Sequence, residues 1–236
     1  MDQQVRLQKE ALFHVEQSEL ESIAQCPICG SVQRKEVLRP RDHTVSKAPF
    51  ALVDCSDCGF RFTDPRPAIS SIGAYYESEE YISHSNQKRF LSDKLYQLAR
   101  RWAVRKKAGL IHSLHSQGKV LDVGCGTGEF LAYLKRFSYC VEGVEPSSKA
   151  REHAIREHAI SVSASLDQIP LQKQFQVITL WHVLEHLHDL RGTFKKLYAQ
   201  LSVDGSLIIA VPDRDSWDAH YFRENWAAWD VPRHLS

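Results

Sequence analysis

The chain has 236 residues, enough for one α/β domain and a small appendage. Its 30 Lys and Arg nearly balance 29 Asp and Glu, for a formal net charge of +1, which weighs against a general polyanion binder. No run of about 18 apolar residues is present, so no transmembrane span is expected, and the segment Met1–Leu20 lacks the apolar core of a signal peptide.

Residues 1–21 read as a short amphipathic helix or arm. Residues 22–67 hold two matched knuckles, Cys26-Pro-Ile-Cys29-Gly30 and Cys55-Ser-Asp-Cys58-Gly59. Zinc takes four ligands in a tetrahedron, and each C-x-x-C turn supplies two from one tight loop. Cys26, Cys29, Cys55 and Cys58 are therefore expected to form a zinc ribbon. With four thiolates no position stays open for a catalytic water, so the metal is expected to be structural. Thiols used this way fit a reducing cytoplasm better than a secreted disulfide framework. Residues 68–117 carry an aromatic linker, Ile72 to His84, and a basic helix, roughly Gln87 to Leu114. Leu91, Leu95, Leu98 and Trp102 are spaced for one buried face, with the Arg and Lys residues as the solvated face. From residue 118 strands and helices alternate: KVLDVGC, EFLAYLKRF, YCVEGVE, SSKAREHAIREH, AISVSA, FQVITLW and GSLIIAVP. That alternation predicts a doubly wound, mostly parallel sheet covered on both faces. Cys125 and Cys140 read as small packed residues.

The most informative stretch is KVLDVGCGTGEF, Lys119 to Phe130. An apolar strand ends in Asp122, a turn brings Gly124, Gly126 and Gly128, and an apolar-periodic helix follows. A second strand ends in Glu145, where an acid can accept hydrogen bonds from ribose hydroxyls. A dinucleotide fingerprint reads G-x-G-x-x-G and seats a pyrophosphate on a helix N-terminus. Here the spacing is D-x-G-x-G-x-G, and an acid ahead of the turn would repel a pyrophosphate. It suits a cofactor with a cationic or ammonium-bearing end, which disfavours a NAD-dependent oxidoreductase.

These features resemble motif I of the class I S-adenosylmethionine (SAM)-dependent methyltransferases. The wider pattern is similar to a bacterial group of them with an N-terminal zinc ribbon, a group that includes sugar C-methyltransferases. CPICG, CSDCGF, DPRP, the YY-rich linker, DVGCGTG, GVEPS, WHVLEHL and WDVPRHLS carry the likeness along nearly the whole chain. The resemblance implies that Asp122, Gly124, Gly126 and Gly128 line the methionine moiety, with Cys125 inside the same turn. It implies that Glu145 binds the ribose and Pro146 shapes that turn. Ser165 and Leu166 fall where the family contacts adenine, and Trp181 and His182 should flank the sulfonium and the substrate. The family's sheet adds two strands after the position of GSLIIAVP, an antiparallel hairpin. The residues after Val211 are rich in Trp, Asp and Arg and are not expected to supply it. The domain over 118–236 is therefore expected to be incomplete, or its edge covered by a partner or a second copy.

Methyl transfer from a sulfonium is an in-line displacement that needs alignment and exclusion of water. A hydroxyl or acidic-carbon acceptor also needs a base, and histidine suits that role near neutral pH. His182, His186 and His234 are the candidates. The expected activity is methylation of a small metabolite, sugar nucleotide or glycan. The alternatives are an RNA methyltransferase, against which the near-neutral charge weighs, and a catalytically silent, zinc-dependent adaptor. His182-Val-Leu-Glu185-His186 also matches H-x-x-E-H, an inverted zinc-peptidase pattern that belongs within a helix.

Overall fold

The computed structural model describes residues 19–76 and 90–236, with side chains described over 19–76 and 98–236. The expected N-terminal arm lies almost wholly outside the described residues, as does the linker from residue 77 to 84. The chain divides into two compact units, one of residues 1–87, 185–190 and 212–236 and one of residues 88–184 and 191–211.

In the first unit, β1 (Leu20–Glu21) pairs antiparallel with β5 (Arg66–Pro67). β2 (Arg34–Leu38), β3 (Leu52–Cys55) and β4 (Arg61–Thr63) form an antiparallel sheet with β3 in the middle. A strand points alternate side chains to opposite faces. Val53 and Cys55 accordingly join Cys26 and Phe62 in one buried cluster, and Leu52 joins Phe50, Tyr75 and Val231 in another. Residues 212–236 fold as the short helix α5 (Trp217–Phe222) followed by 3-10 turns. They are pinned to the ribbon by Thr63 N donating to Leu235 O at 3.0 Å and Thr63 Oγ1 donating to His234 O at 2.8 Å.

In the second unit, α1 (Phe90–Leu114) precedes β6 (Gly118–Val123), α2 (Glu129–Lys135), β7 (Tyr139–Val144), α3 (Ser148–His158), β8 (Ser161–Ser163), β9 (Phe175–Trp181), α4 (Leu190–Gln200) and β10 (Leu201–Ala210). The five strands are all parallel, in the order β10-β9-β6-β7-β8. Val120, Leu121 and Val123 of β6 are all buried, as a central strand covered on both faces requires. The chain runs from β6 outward through β7 to β8, then returns to the other side of β6 with β9 and β10. The order therefore reverses beside β6, and open α/β sheets hold ligands at the carboxyl ends of the strands at that point. The two further strands of the family's hairpin are not among the described residues, and β10 is an outer strand of the sheet.

Two expectations need correction. Leu98 and Trp102 are each 62% exposed, so they do not form a buried face of α1, and the side chains of Leu91 and Leu95 lie outside the described residues. The buried face carries Val104, Ala108 and Ile111. At 3.6 residues per turn, Val104 points almost opposite Trp102, so the larger side chains drew the periodicity onto the wrong stripe. The basic residues are not merely a solvated face either: Arg100 pairs with Glu129 at 2.9 Å and Lys107 is half-buried. Cys140 is exposed rather than packed, whereas Cys125 is buried as expected.

Candidate functional site

The β6–α2 turn begins at Asp122, which is 3% exposed. Its Oδ1 accepts a hydrogen bond from Thr179 Oγ1 of β9 at 2.6 Å. Burial pushes the Asp122 carboxyl up to about 7, against the lowering effects of the Thr179 hydrogen bond and the Lys107 ammonium. The backbone then folds back on β7, with Gly124 N donating to Val144 O at 2.7 Å and Cys125 N to the same carbonyl at 3.1 Å. Burial raises the Cys125 thiol to about 12, so it acts as packing, not as a nucleophile.

The later glycines do different jobs. Gly126 has φ +54°, and a Cβ there would meet nothing within 4 Å. Gly128 has φ +80°, and its Cβ would come within 2.8 Å of Ala154. Gly128 therefore serves helix packing, while Gly126 leaves open space where a ligand can approach the backbone. Glu145 follows β7, with Oε2 accepting from Gly126 N and Oε1 from Ser147 N, both at 2.9 Å. Each carboxylate oxygen keeps a further lone pair for a hydroxyl. Pro146 is exposed beside it. Ser165 precedes the 3-10 turn Leu166–Gln168, and Ser165 and Leu166 are both half-buried.

Asp122, Gly124, Cys125, Gly126, Glu129, Phe130 and Trp181 line one cleft of about 240 Å³, whose other wall is α1 from Arg100 to Lys107. Phe130 meets Trp181 edge-to-face at 5.9 Å, and Lys107 Nζ stands 4.5 Å from the Trp181 ring centroid. An aromatic face of this kind attracts cations. Sequence reasoning missed Lys107 and Thr179, because a lysine within RRWAVRKK and a threonine within a strand carry no local signal. The cleft has a buried acid and a Cβ-free backbone approach at Gly126, whose N–H donates to Glu145 at the tip of the next strand, and these suit the ammonium, methionine chain and ribose of SAM.

The three candidate histidines do not form one group. His182, in the second unit, is exposed at the end of β9 with φ +58°, and its N–H donates to Ala210 O at 2.9 Å. His186 and His234, in the first unit, meet edge-to-face at 4.7 Å. Burial pushes the His234 imidazole below its ordinary value, and nearby His186 adds to the effect.

The four knuckle cysteines also come together. Cys26 Sγ and Cys58 Sγ are 3.6 Å apart, Cys29 Sγ and Cys55 Sγ 3.5 Å, and all four sulfurs lie within 4.8 Å of one another. Zinc–sulfur bonds of about 2.3 Å place tetrahedral sulfurs about 3.8 Å apart, so the donor set fits the ion. Gly30 and Gly59 sit at φ +80° and +72° and turn their N–H groups onto Cys26 O and Cys55 O.

A family model described as a methyltransferase domain matches residues 107–236. The chain belongs to that family. Among curated proteins it is 31% identical over 121 residues to a ubiquinone biosynthesis O-methyltransferase of Bradyrhizobium diazoefficiens, covering 48% of each chain. It is 34% identical over 109 residues to one of Actinobacillus pleuropneumoniae, covering 41% of this chain and 46% of the other. The chain thus spans about half the length of the curated relatives it matches. Among solved structures, the plantazolicin methyltransferase BpumL, in complex with a desmethyl analogue and S-adenosylhomocysteine, superposes with a TM-score of 0.51 at 15% identity. The match covers 69% of this chain and 66% of that one. The fold is that of the class I, SAM-dependent methyltransferases. No described helix of this methyltransferase-family chain is long and apolar enough to cross a membrane.

Proposed function

We propose that the protein transfers a methyl group from SAM to a small-molecule acceptor of the metabolite, sugar-nucleotide or glycan class, with a structural zinc at Cys26, Cys29, Cys55 and Cys58. The observation that carries this reading is the buried Asp122 beside the open backbone of Gly126, with Glu145 at the tip of the next strand. The names of the curated relatives support a small acceptor.

The cofactor supplies an electrophilic methyl carried on a sulfonium. Asp122 holds the ammonium by a charge-assisted hydrogen bond. Gly126 lets the backbone lie against the methionine chain, while Gly124 makes room for Val183. Glu145 accepts from the ribose hydroxyls while its bonds to Gly126 N and Ser147 N keep its orientation fixed. Ser165 and Leu166 border the adenine. Trp181, packed edge-to-face with Phe130 and facing Lys107 Nζ, borders the methyl end of the cofactor. His182 is the base that takes the acceptor's proton. Its position just past the carboxyl end of β9, where open α/β sheets hold their ligands, supports this role.

Calorimetric titration with S-adenosylhomocysteine tests the reading. Saturable one-to-one binding is expected. Absence of binding by the folded, zinc-loaded protein would overturn it.

A further inference from the structure

The H-x-x-E-H run does not fold as a peptidase helix. His182 follows the last residue of β9, and Glu185 and His186 sit in the short 3-10 turn Leu184–His186. Glu185 and His186 instead meet His234 from the terminal PRHLS, and one ligand atom from each lies within 4.8 Å of the other two. We propose that Glu185, His186 and His234 bind a divalent first-row transition-metal ion, at a site distinct from the four cysteines.

Two imidazoles and one carboxylate are the donor set of open, oxygen-accepting sites for ions such as Fe²⁺, Mn²⁺, Co²⁺ or Zn²⁺. The imidazoles are oriented for the task. His234 Nδ1 faces Ala228 O at 2.8 Å, and His186 Nδ1 faces Arg233 O at 3.1 Å. A carbonyl only accepts, so His234 carries its proton on Nδ1 and presents the Nε2 lone pair. A histidine ligand typically has its far nitrogen bonded in this way to a carbonyl or carboxylate. Tyr76 Oη lies 2.9 Å from the same His186 Nδ1 and can donate or accept, so the site requires the His186 proton on Nδ1, shared between Arg233 O and Tyr76 Oη. Glu185 is 1% exposed, and its backbone is tied to the terminal segment by Leu235 N donating to Glu185 O at 2.6 Å.

The nearby cation does not oppose a metal, because Arg233 is bonded to Asp230 through Nε at 2.9 Å and through Nη2. Bonds of about 2.1 Å place tetrahedral ligand atoms about 3.4 Å apart, so the three close on an ion by side-chain movements of about an ångström. Three protein ligands leave a position for water or an oxygen donor. This site does not depend on the cofactor assignment.

The test is a titration of the zinc-loaded full chain with Co²⁺ alone, followed by equilibrium dialysis and absorption. One further equivalent is expected, with ligand-field bands but without the sulfur-to-cobalt charge-transfer band of a thiolate site. Glu185→Gln and His234→Ala should each weaken that binding about tenfold or more, with zinc content unchanged. Should either variant fold poorly, ¹⁵N-histidine spectra of the unmodified chain decide. Co²⁺ should perturb the Nε2 signals of His186 and His234 at one equivalent. No binding beyond the zinc, entry of cobalt into the thiolate site alone, or unmoved His186 and His234 signals would each overturn the proposal.

Discussion

Asp122→Asn should make the protein more stable and the cofactor site weaker. The carboxyl, ordinarily near 3.8, sits at about 7 because it is buried. That displacement corresponds to about 4 kcal/mol against the charged form in the fold, at about 1.36 kcal/mol per tenfold. The folded state therefore holds the proton more tightly than the unfolded state, and stability falls as pH rises from about 4 to about 7. Asparagine keeps an oxygen for Thr179 Oγ1, now 2.6 Å away, and removes the charge. The variant's advantage should be small near pH 4 and reach at most about 4 kcal/mol above pH 7. The upper figure will not be met in full, because the new amide adds two buried donors. Urea denaturation across this range measures the gap. Calorimetry with S-adenosylhomocysteine measures the function. The wild-type dissociation constant should improve about tenfold from pH 6 to pH 8 as the carboxylate ionises. The variant should bind at least about tenfold more weakly at pH 8 and show no such dependence. A variant no more stable than wild type at pH 8, together with pH-independent wild-type binding, would refute the reasoning.

Glu145→Ala removes the acceptor of Gly126 N and Ser147 N. It should cost about 1–2 kcal/mol in a melt and at least about tenfold in S-adenosylhomocysteine affinity. Gly126→Ala and Gly128→Ala should differ in kind. The first puts a methyl into open space at φ +54°, so strain of about 1 kcal/mol accompanies a large loss of cofactor affinity. The second drives a methyl against Ala154 at 2.8 Å and should chiefly lower the melting temperature; equal effects on affinity from both would contradict the division of roles. Cys55→Ser should lose zinc by metal analysis and loosen the unit that holds β3, because a structural ion contributes folding energy directly. Retention of one zinc per chain in that variant would rule out the four-cysteine site.

The features readable in the sequence are the local ones. The D-x-G-x-G-x-G turn lies between two consecutive strands, so Asp122, Gly126 and Glu145 come together through one βαβ unit whatever the rest of the chain does. The strand FQVITLW matches β9 end to end, because a short run rich in β-branched and aromatic residues, broken only by Gln176 and Thr179 and flanked by polar segments, favours a strand. The cysteine knuckles are likewise pairs closed by one tight turn each. The face of α1 was misread for a physical reason: Leu98 and Trp102 are the more hydrophobic stripe, yet small Ala108 and Ile111 let the helix approach the core. Periodicity ranks hydrophobicity and not fit. Glu142 opposite Lys173, at 2.6 Å, and Lys107 over Trp181 are tertiary pairs with no sequence signature.

The terminal WDVPRHLS shows how a motif can be visible without its job being legible. Its Arg233 looks like a surface cation but is 2% exposed. Arg233 Nη1 donates to Thr44 Oγ1 at 2.6 Å and to Tyr75 O at 3.2 Å, and Nε donates to Asp230. A buried guanidinium with that many acceptors is a fixed fork, and it anchors the backbone carbonyl that His186 Nδ1 faces. The same residue thus secures the terminal segment through its side chain and presents its main-chain carbonyl to an imidazole. His234, next in sequence, is aligned by Ala228 O at Nδ1, and Asp230 Oδ2, which Arg233 Nε bonds, lies 3.9 Å from its Nε2. Tertiary closure turns a run that reads as separate polar residues into an ordered pair of imidazoles, and that order is what distinguishes a ligand set from histidines that merely pack together.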